Sequence, residues 1–229
     1  MKNMNAESKI SYKNRIVIIN RAVPCSGKTT ISKAILNTLS ALNIDVSIHS
    51  TDEYFMRGNC YVFDISKLYE YHKKNEQAFE QSLKDKKTIV VCDNTNLLPW
   101  QTEFYSGAAR KFGYKIVFIN FLPRELYKHV QSQKITPEKP DAHNVPESQI
   151  IKFIENFNDY NDLLDKTIPI NPKKHFNFEW DSTSCEPIKS GVSKYFDYDF
   201  LISINPDEYH KTKETIGAQI VNILDEINK

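Results

Sequence analysis

The 229-residue chain has no long apolar run. Its longest are of strand length, which excludes a membrane-spanning helix. It has no excess of charge of one sign either: 30 Lys and Arg oppose 29 Asp and Glu, for a net charge of +1. That excludes the overall basic field of a protein that coats nucleic acid, while leaving room for a local patch that holds one strand end. None of the four cysteines, Cys25, Cys60, Cys92 and Cys185, stands in C-x-x-C spacing. This argues against a zinc site or a disulfide framework and suits a reducing cytoplasm. The opening stretch MKNMNAESKISYKN lacks an apolar h-region, so residues 1–14 read as a tail rather than a secretory leader. Repeats and low-complexity tracts are also missing.

What is present is an alternation of short apolar runs with helical stripes, the pattern of an α/β fold with a parallel sheet. Strands are expected at 15–20, 45–50, 88–93, 114–121 and 199–205. Helices are expected at 28–42, from Ser66, from Pro99, and at 124–131, 147–164 and 208–227. Residues 133–146, with three prolines, read as a loop, and 166–195 have no assignable pattern. The whole of 15–229 reads as one domain.

The first strand runs into NRAVPCSGKTTISKAI, residues 20–35. This is a phosphate loop, G-x-x-x-x-G-K-[ST], with Ala22 in place of the first glycine. A phosphate loop needs a strand, a compact turn with inward N–H groups and a helix whose positive end faces the anion. All three are expected here. Pro24, Cys25, Ser26, Gly27, Lys28, Thr29 and Thr30 are then the nucleotide contacts. Gly27 permits close backbone approach, Lys28 reaches the β- and γ-phosphates from a solvated site, and the Thr29 hydroxyl meets Mg²⁺. Ala22 is tolerable if its position needs no positive φ. The plainer alternative is an ordinary strand–turn–helix with an accidental GKT.

Ligands of open α/β sheets bind beyond the carboxyl ends of the strands. The second strand ends in HSTDEYFMR, placing Asp52 near the γ-phosphate as a general base and Arg57 near an acceptor phosphate. Asp52 or Glu53 as a simple cap is the alternative. The third strand ends in VVCDNTN. There Asp93 is a candidate for Mg²⁺ or the acceptor, and Asn94, Thr95 and Asn96 are either acceptor contacts or a local Asx turn.

PCSGKTT, STDEYF, YVFDISKLYEYHKKNEQAF, VVCDNTNLLPW, GYKIVFINF and HNVPESQI occur in this order over roughly residues 15–160. In this the chain resembles the polynucleotide-kinase-like branch of P-loop kinases, which phosphorylate 5′-hydroxyl ends. The resemblance implies a five-stranded parallel sheet flanked by helices, with a lid after the fourth strand. It also implies ATP and Mg²⁺ as cofactors, Lys28 and Thr29 on them, Asp52 as base, and Asp93 and Thr95 on the acceptor side. His72 and Asn75 match an H-x-x-N pattern and read as a satisfied polar contact beneath the site. Lids of this kind usually carry arginines, but residues 131–146 have none, only Lys134 and Lys139. Arg124 is therefore the expected catalytic cation, with Lys128 and Lys134 contacting substrate. The INPDE stretch after the fifth strand is expected near the adenine.

The expected function is an ATP-dependent kinase acting on a hydroxyl, with a nucleic acid 5′-end as acceptor. A toxin-like or small-molecule kinase is the first alternative and a non-catalytic nucleotide-binding module the second. Cys25, inside an anion-binding loop, is expected to have a lowered pKa and to be the most reactive thiol.

Overall fold

The computed structural model describes residues 12–161, 164 and 196–229. Residues 1–11 of the expected tail, and the unassigned stretch 166–195 with Cys185, lie outside them.

The β1 strand, Ile16–Ala22, is buried along its whole length. Such a run, apolar on both faces, belongs at the centre of a parallel sheet covered by helices on each side. The other strands of this sheet are β2 (Val46–His49), β5 (Ile89–Cys92), β6 (Lys115–Phe121) and β7 (Phe200–Ile204), ordered β2-β5-β1-β6-β7. Every pairing is parallel, with Ile18 beside Val91 on one side and Val117 on the other.

Alternate residues of each strand feed opposite faces. Ile16 and Ile18 pack with Ile31 and Ile35 of α1 (Lys28–Ala41) and with Ile216 and Ile220 of α6 (Tyr209–Glu226). Val17 and Ile19 pack with Phe79 of α2 (Leu68–Lys84) and Tyr105 of α3 (Pro99–Lys111). Two further helices, α4 (Leu126–Ser132) and α5 (Glu147–Asp159), follow β6 and bracket the lid segment 133–146. Val23, Leu97, Ile150 and Phe157 form a smaller core beneath them.

The five expected strands and six helices are present, with ends displaced by a few residues. The helix expected over 147–164 ends at Asp159. A hairpin of two-residue strands, β3 (Met56–Arg57) and β4 (Cys60–Tyr61), was not anticipated. From β2 the chain returns to β5 beside β1, then crosses β1 to reach β6. The crevice opened by that reversal lies at the carboxyl end of β1, where the phosphate loop sits.

Candidate functional site

The loop leaves β1 without needing a glycine at its first position. Ala22 stays in the strand, fully buried, and its N–H donates to the Thr95 carbonyl at 2.8 Å. Left-handed backbone occurs further on, at Cys25 (φ 63°) and Gly27 (φ 86°). Cys25 is thus the costly departure, because a Cβ is disfavoured in that region by roughly 1–2 kcal/mol. Gly27 is required twice over: it adopts positive φ, and a Cβ there would lie 2.3 Å from the Tyr209 ring. The Tyr209 hydroxyl donates to the Gly27 carbonyl at 3.2 Å, so α6 closes over the loop.

The loop opens onto a cleft of about 1660 Å³. A pocket for one ligand is typically about 300–1,000 Å³, so this cleft has room for two. Pro24 to Thr30, Asp52, Asp93, Asn94, Thr95, Arg124 and Lys128 all line it, as do Pro206 and Asp207 of the INPDE stretch.

Lys28 is buried rather than solvated, contrary to the sequence expectation. Its Nζ donates to the Asp93 carbonyl at 2.7 Å and lies 3.4 Å from the Asp93 carboxylate. Burial works to lower the Lys28 pKa, but Asp93 and then Asp52 outweigh it, and the ammonium is held charged. Asp93 Oδ1 also accepts from Asn20 Nδ2 at 2.8 Å and Ser32 Oγ at 3.2 Å.

Two buried donors in the loop region have no partner: the Ser26 hydroxyl and Arg124 Nε. Orphaned donors beside a lysine, at a helix N-terminus, describe an anion site. Arg124 Nη2 donates to the Cys25 carbonyl and, at 3.3 Å, to Ser132 Oγ. His129 of α4, which sequence reasoning overlooked, is fully buried and pairs with the Pro24 carbonyl at 2.7 Å. Its Nε2 accepts from the Arg124 N–H at 3.0 Å. The histidine therefore ties the helix before the lid to the phosphate loop. The only sequence signal for it is a histidine five places after Arg124.

On the acceptor side, Asp52 lies in a 3₁₀ turn, Thr51–Phe55, after β2. Tyr61 donates to Asp52 Oδ1 at 3.2 Å. Burial raises the pKa values of Glu53 and Glu76, which share this side. The Asn94 amide is committed: it accepts from the Thr51 N–H at 2.9 Å and donates to the Tyr105 hydroxyl at 2.9 Å. Asn94 therefore joins the ends of β2 and β5 rather than offering a free contact. Asn96 has left-handed backbone (φ 48°), and its amide donates to the Asn20 carbonyl, tying this turn back to β1 rather than forming a local Asx bond. Asn75 donates to the same Tyr105 hydroxyl and His72 contacts Thr51 Oγ1 at 3.2 Å, but the buried Asn75 Oδ1 has no partner, so the polar contact expected for that pair is met only in part.

Three further features differ from expectation. Arg57 does not line the cleft; it is exposed on β3 and donates to the Tyr54 and Met56 carbonyls and the Tyr71 hydroxyl. Lys134 also lies outside the cleft, in a small depression beside Tyr127. The Cys25 thiol has its pKa raised, not lowered. Burial outweighs the opposing pull of Lys139, Arg124 and Lys28, and Sγ turns to the Ser132 carbonyl at 3.4 Å.

The family described as Chromatin associated protein KTI12 matches residues 16–161. The chain belongs to the KTI12 family. Human NEDD4-binding protein 2 is 28% identical over 155 residues, covering 65% of this chain. The chain spans only 8% of that relative's own length. The L-seryl-tRNA(Sec) kinase of Methanococcus maripaludis is 25% identical over 197 residues, 78% of this chain and 75% of that protein. Among solved structures, the Pnkp1/Rnl/Hen1 RNA repair complex superposes with a TM-score of 0.54 at 17% identity, over 78% of this chain and 56% of that one. That likeness is one of fold, the P-loop kinase fold. Among the described residues no helix of this KTI12-family chain is long and apolar enough to cross a membrane.

Proposed function

We propose that the chain transfers the γ-phosphate of ATP to a hydroxyl acceptor. The observation that carries this reading is the pair of orphaned donors, Ser26 Oγ and Arg124 Nε, beside Lys28 in the cleft that also holds Asp52. The loop N–H groups, Ser26, Lys28 and Arg124 hold the phosphates. The acceptor oxygen attacks the γ-phosphorus, its proton passes to Asp52, the bond to the β–γ bridging oxygen breaks, and ADP leaves.

The residues fit Mg²⁺. Thr29 and Asp93 offer the hard oxygen donors it prefers, and among the described residues no group of three or more acidic, His or Cys side chains competes as a metal cage. Such an ion takes most of its ligands from phosphates and water. When bound, it neutralises charge on the β- and γ-oxygens.

A nucleic acid 5′-end is the acceptor we favour, by resemblance to the polynucleotide-kinase-like branch and to the tRNA-directed relative. A metabolite-sized acceptor is the second reading. It is favoured by the placement of Arg57 and Lys134 outside the cleft and of Glu53 and Glu76 within it.

The experiment is incubation of the chain with γ-labelled ATP and either a 5′-hydroxyl oligonucleotide or a metabolite pool. Transfer to the oligonucleotide supports the first acceptor, and transfer to a metabolite the second. In either case Asp52→Asn should cut turnover by about 10²–10⁴-fold while sparing ATP binding. ATP binding without transfer overturns the kinase reading and leaves a nucleotide-binding module.

A further inference from the structure

Tyr61 is where three elements meet. The 3₁₀ turn carrying Asp52 runs directly into the β3–β4 hairpin, which reverses at Gly58 with φ 60°. Pairing of Met56 with Tyr61, and of the Val62 N–H with the Phe55 carbonyl at 3.0 Å, brings Tyr61 back beside the turn. Its hydroxyl then reaches Asp52, nine residues earlier. One contact of the Tyr61 ring is with Phe55, tilted at 5.8 Å between centroids. Another is with His143 of the lid segment, stacked at 3.8 Å with the planes 15° apart. All three of Asp52, Tyr61 and His143 line the cleft.

An isolated hairpin this short is marginal in water and takes its order from what packs against it. Two residues per strand cannot hold Tyr61 in one orientation unaided. The stacked imidazole supplies the missing constraint, and it comes from a segment more than eighty residues further along the chain.

We propose that Tyr61 is a positioning residue for phosphotransfer: the lid, by stacking His143 on the Tyr61 ring, fixes the phenol hydroxyl against Asp52 and so sets that carboxylate for proton uptake. This rests on the reading of Asp52 as the base. Tyr61 holds one carboxylate oxygen, and the other takes the acceptor's proton. Burial, and then Asp52, pushes the Tyr61 phenol above its ordinary range, so the hydroxyl keeps its proton and always donates. Burial lowers the pKa of His143, so the ring that stacks is neutral. The consequence is a base assembled only under a closed lid, when water is excluded from the transferring phosphoryl group.

The test uses the full chain with γ-labelled ATP and two acceptors, a 5′-hydroxyl oligonucleotide and a metabolite pool. Tyr61→Phe keeps the stack and removes the hydroxyl. It should lower kcat by about 10–100-fold, the effect of one hydrogen bond to a charged group, with KM for ATP unchanged. His143→Ala should lower kcat in the same direction and speed amide exchange across 133–146. The double variant should be no slower than Tyr61→Phe alone, because both act through one contact. His143→Phe, which restores a ring, should recover turnover. Additive losses, a wild-type kcat for Tyr61→Phe, or no rescue by phenylalanine would each overturn the coupling. If Asp52→Asn turns over normally, or the wild-type chain turns over neither acceptor, the kinase reading falls and this coupling with it. If Asp52→Asn is inactive while Tyr61→Phe is normal, only the coupling falls.

Discussion

Lys28 Nζ lies 3.4 Å from the Asp93 carboxylate and 2.7 Å from the carbonyl of the same residue. The phosphate-loop lysine thus rests on the acid at the end of β5. It must exchange that partner for phosphate oxygens when a nucleotide enters. Lys28→Ala should therefore have two effects. Nucleotide affinity should fall by about 10–100-fold, for the loss of one charged hydrogen-bond donor. The chain should also lose about 1–3 kcal/mol of stability, because among the described residues the buried Asp93 carboxylate keeps just Asn20 and Ser32 as side-chain donors. Titration with a fluorescent ADP and urea melts of the same variant check both. A variant that binds ADP normally would remove Lys28 from the nucleotide site.

Cysteine chemistry should follow burial. Cys60 is exposed, Cys25 is half-buried with a raised pKa, and Cys92 is buried with its pKa pushed up to about 12. The thiolate is the reactive form, so alkylation should reach Cys60 first, Cys25 slowly and Cys92 last. Mass spectrometry of adducts over a time course reads the order. Faster labelling at Cys25 than at Cys60 would restore the activated thiol that the sequence suggested.

How legible the molecule was depended on the range of the contacts. The β1 strand, the loop and α1 are written in consecutive residues, as a buried apolar run, a GKT and a helical stripe. The strand ends carrying Asp52 and Asp93 follow from the same pattern. What stayed hidden depends on distant partners. His129 acts through a carbonyl 105 positions away, and Tyr61 through the lid. Strands of two residues have no period to detect. The cost of Cys25 was visible only as a missing glycine, and nothing in its type says whether the loop field or burial governs the thiol. Arg21 was read merely as part of the loop string, yet it is fully buried.

Among the described residues, that arginine has no carboxylate as a hydrogen-bond partner. Its guanidinium donates to the Leu97 and Phe157 carbonyls at 3.1 and 2.7 Å and to the Asn120 and Asn161 amide oxygens at 3.0 and 3.4 Å. It also lies over the Phe157 ring at 3.9 Å. Burial lowers its pKa to about 9. Lysine cannot reproduce the planar fork, so Arg21→Lys should strand two or more acceptors and cost about 2–4 kcal/mol. Because Arg21 does not line the cleft, the urea midpoint should drop while ADP affinity holds. An unchanged midpoint would mean that the fork contributes nothing.

The last prediction concerns acid. Burial depresses His49 and His72 to about 4, with His49 against Ser82 and His72 against Thr51. An unfolded histidine titrates near 6.5. Below that pH the unfolded chain binds protons that the folded chain refuses, so stability falls as pH drops. The contribution is complete above about pH 6.5 and is lost progressively down to about pH 4. His129 and His143 are lowered as well and act in the same direction. Glu53 and Glu76, raised by burial, oppose it nearer their own range. Urea midpoints measured from pH 7 to pH 4.5 should therefore decline, by on the order of a few kcal/mol in unfolding free energy. The double variant His49→Gln, His72→Gln removes two of the four groups and should flatten the slope without abolishing it. A wild-type midpoint independent of pH over that interval would show that these imidazoles protonate in place, with water reaching them inside the fold.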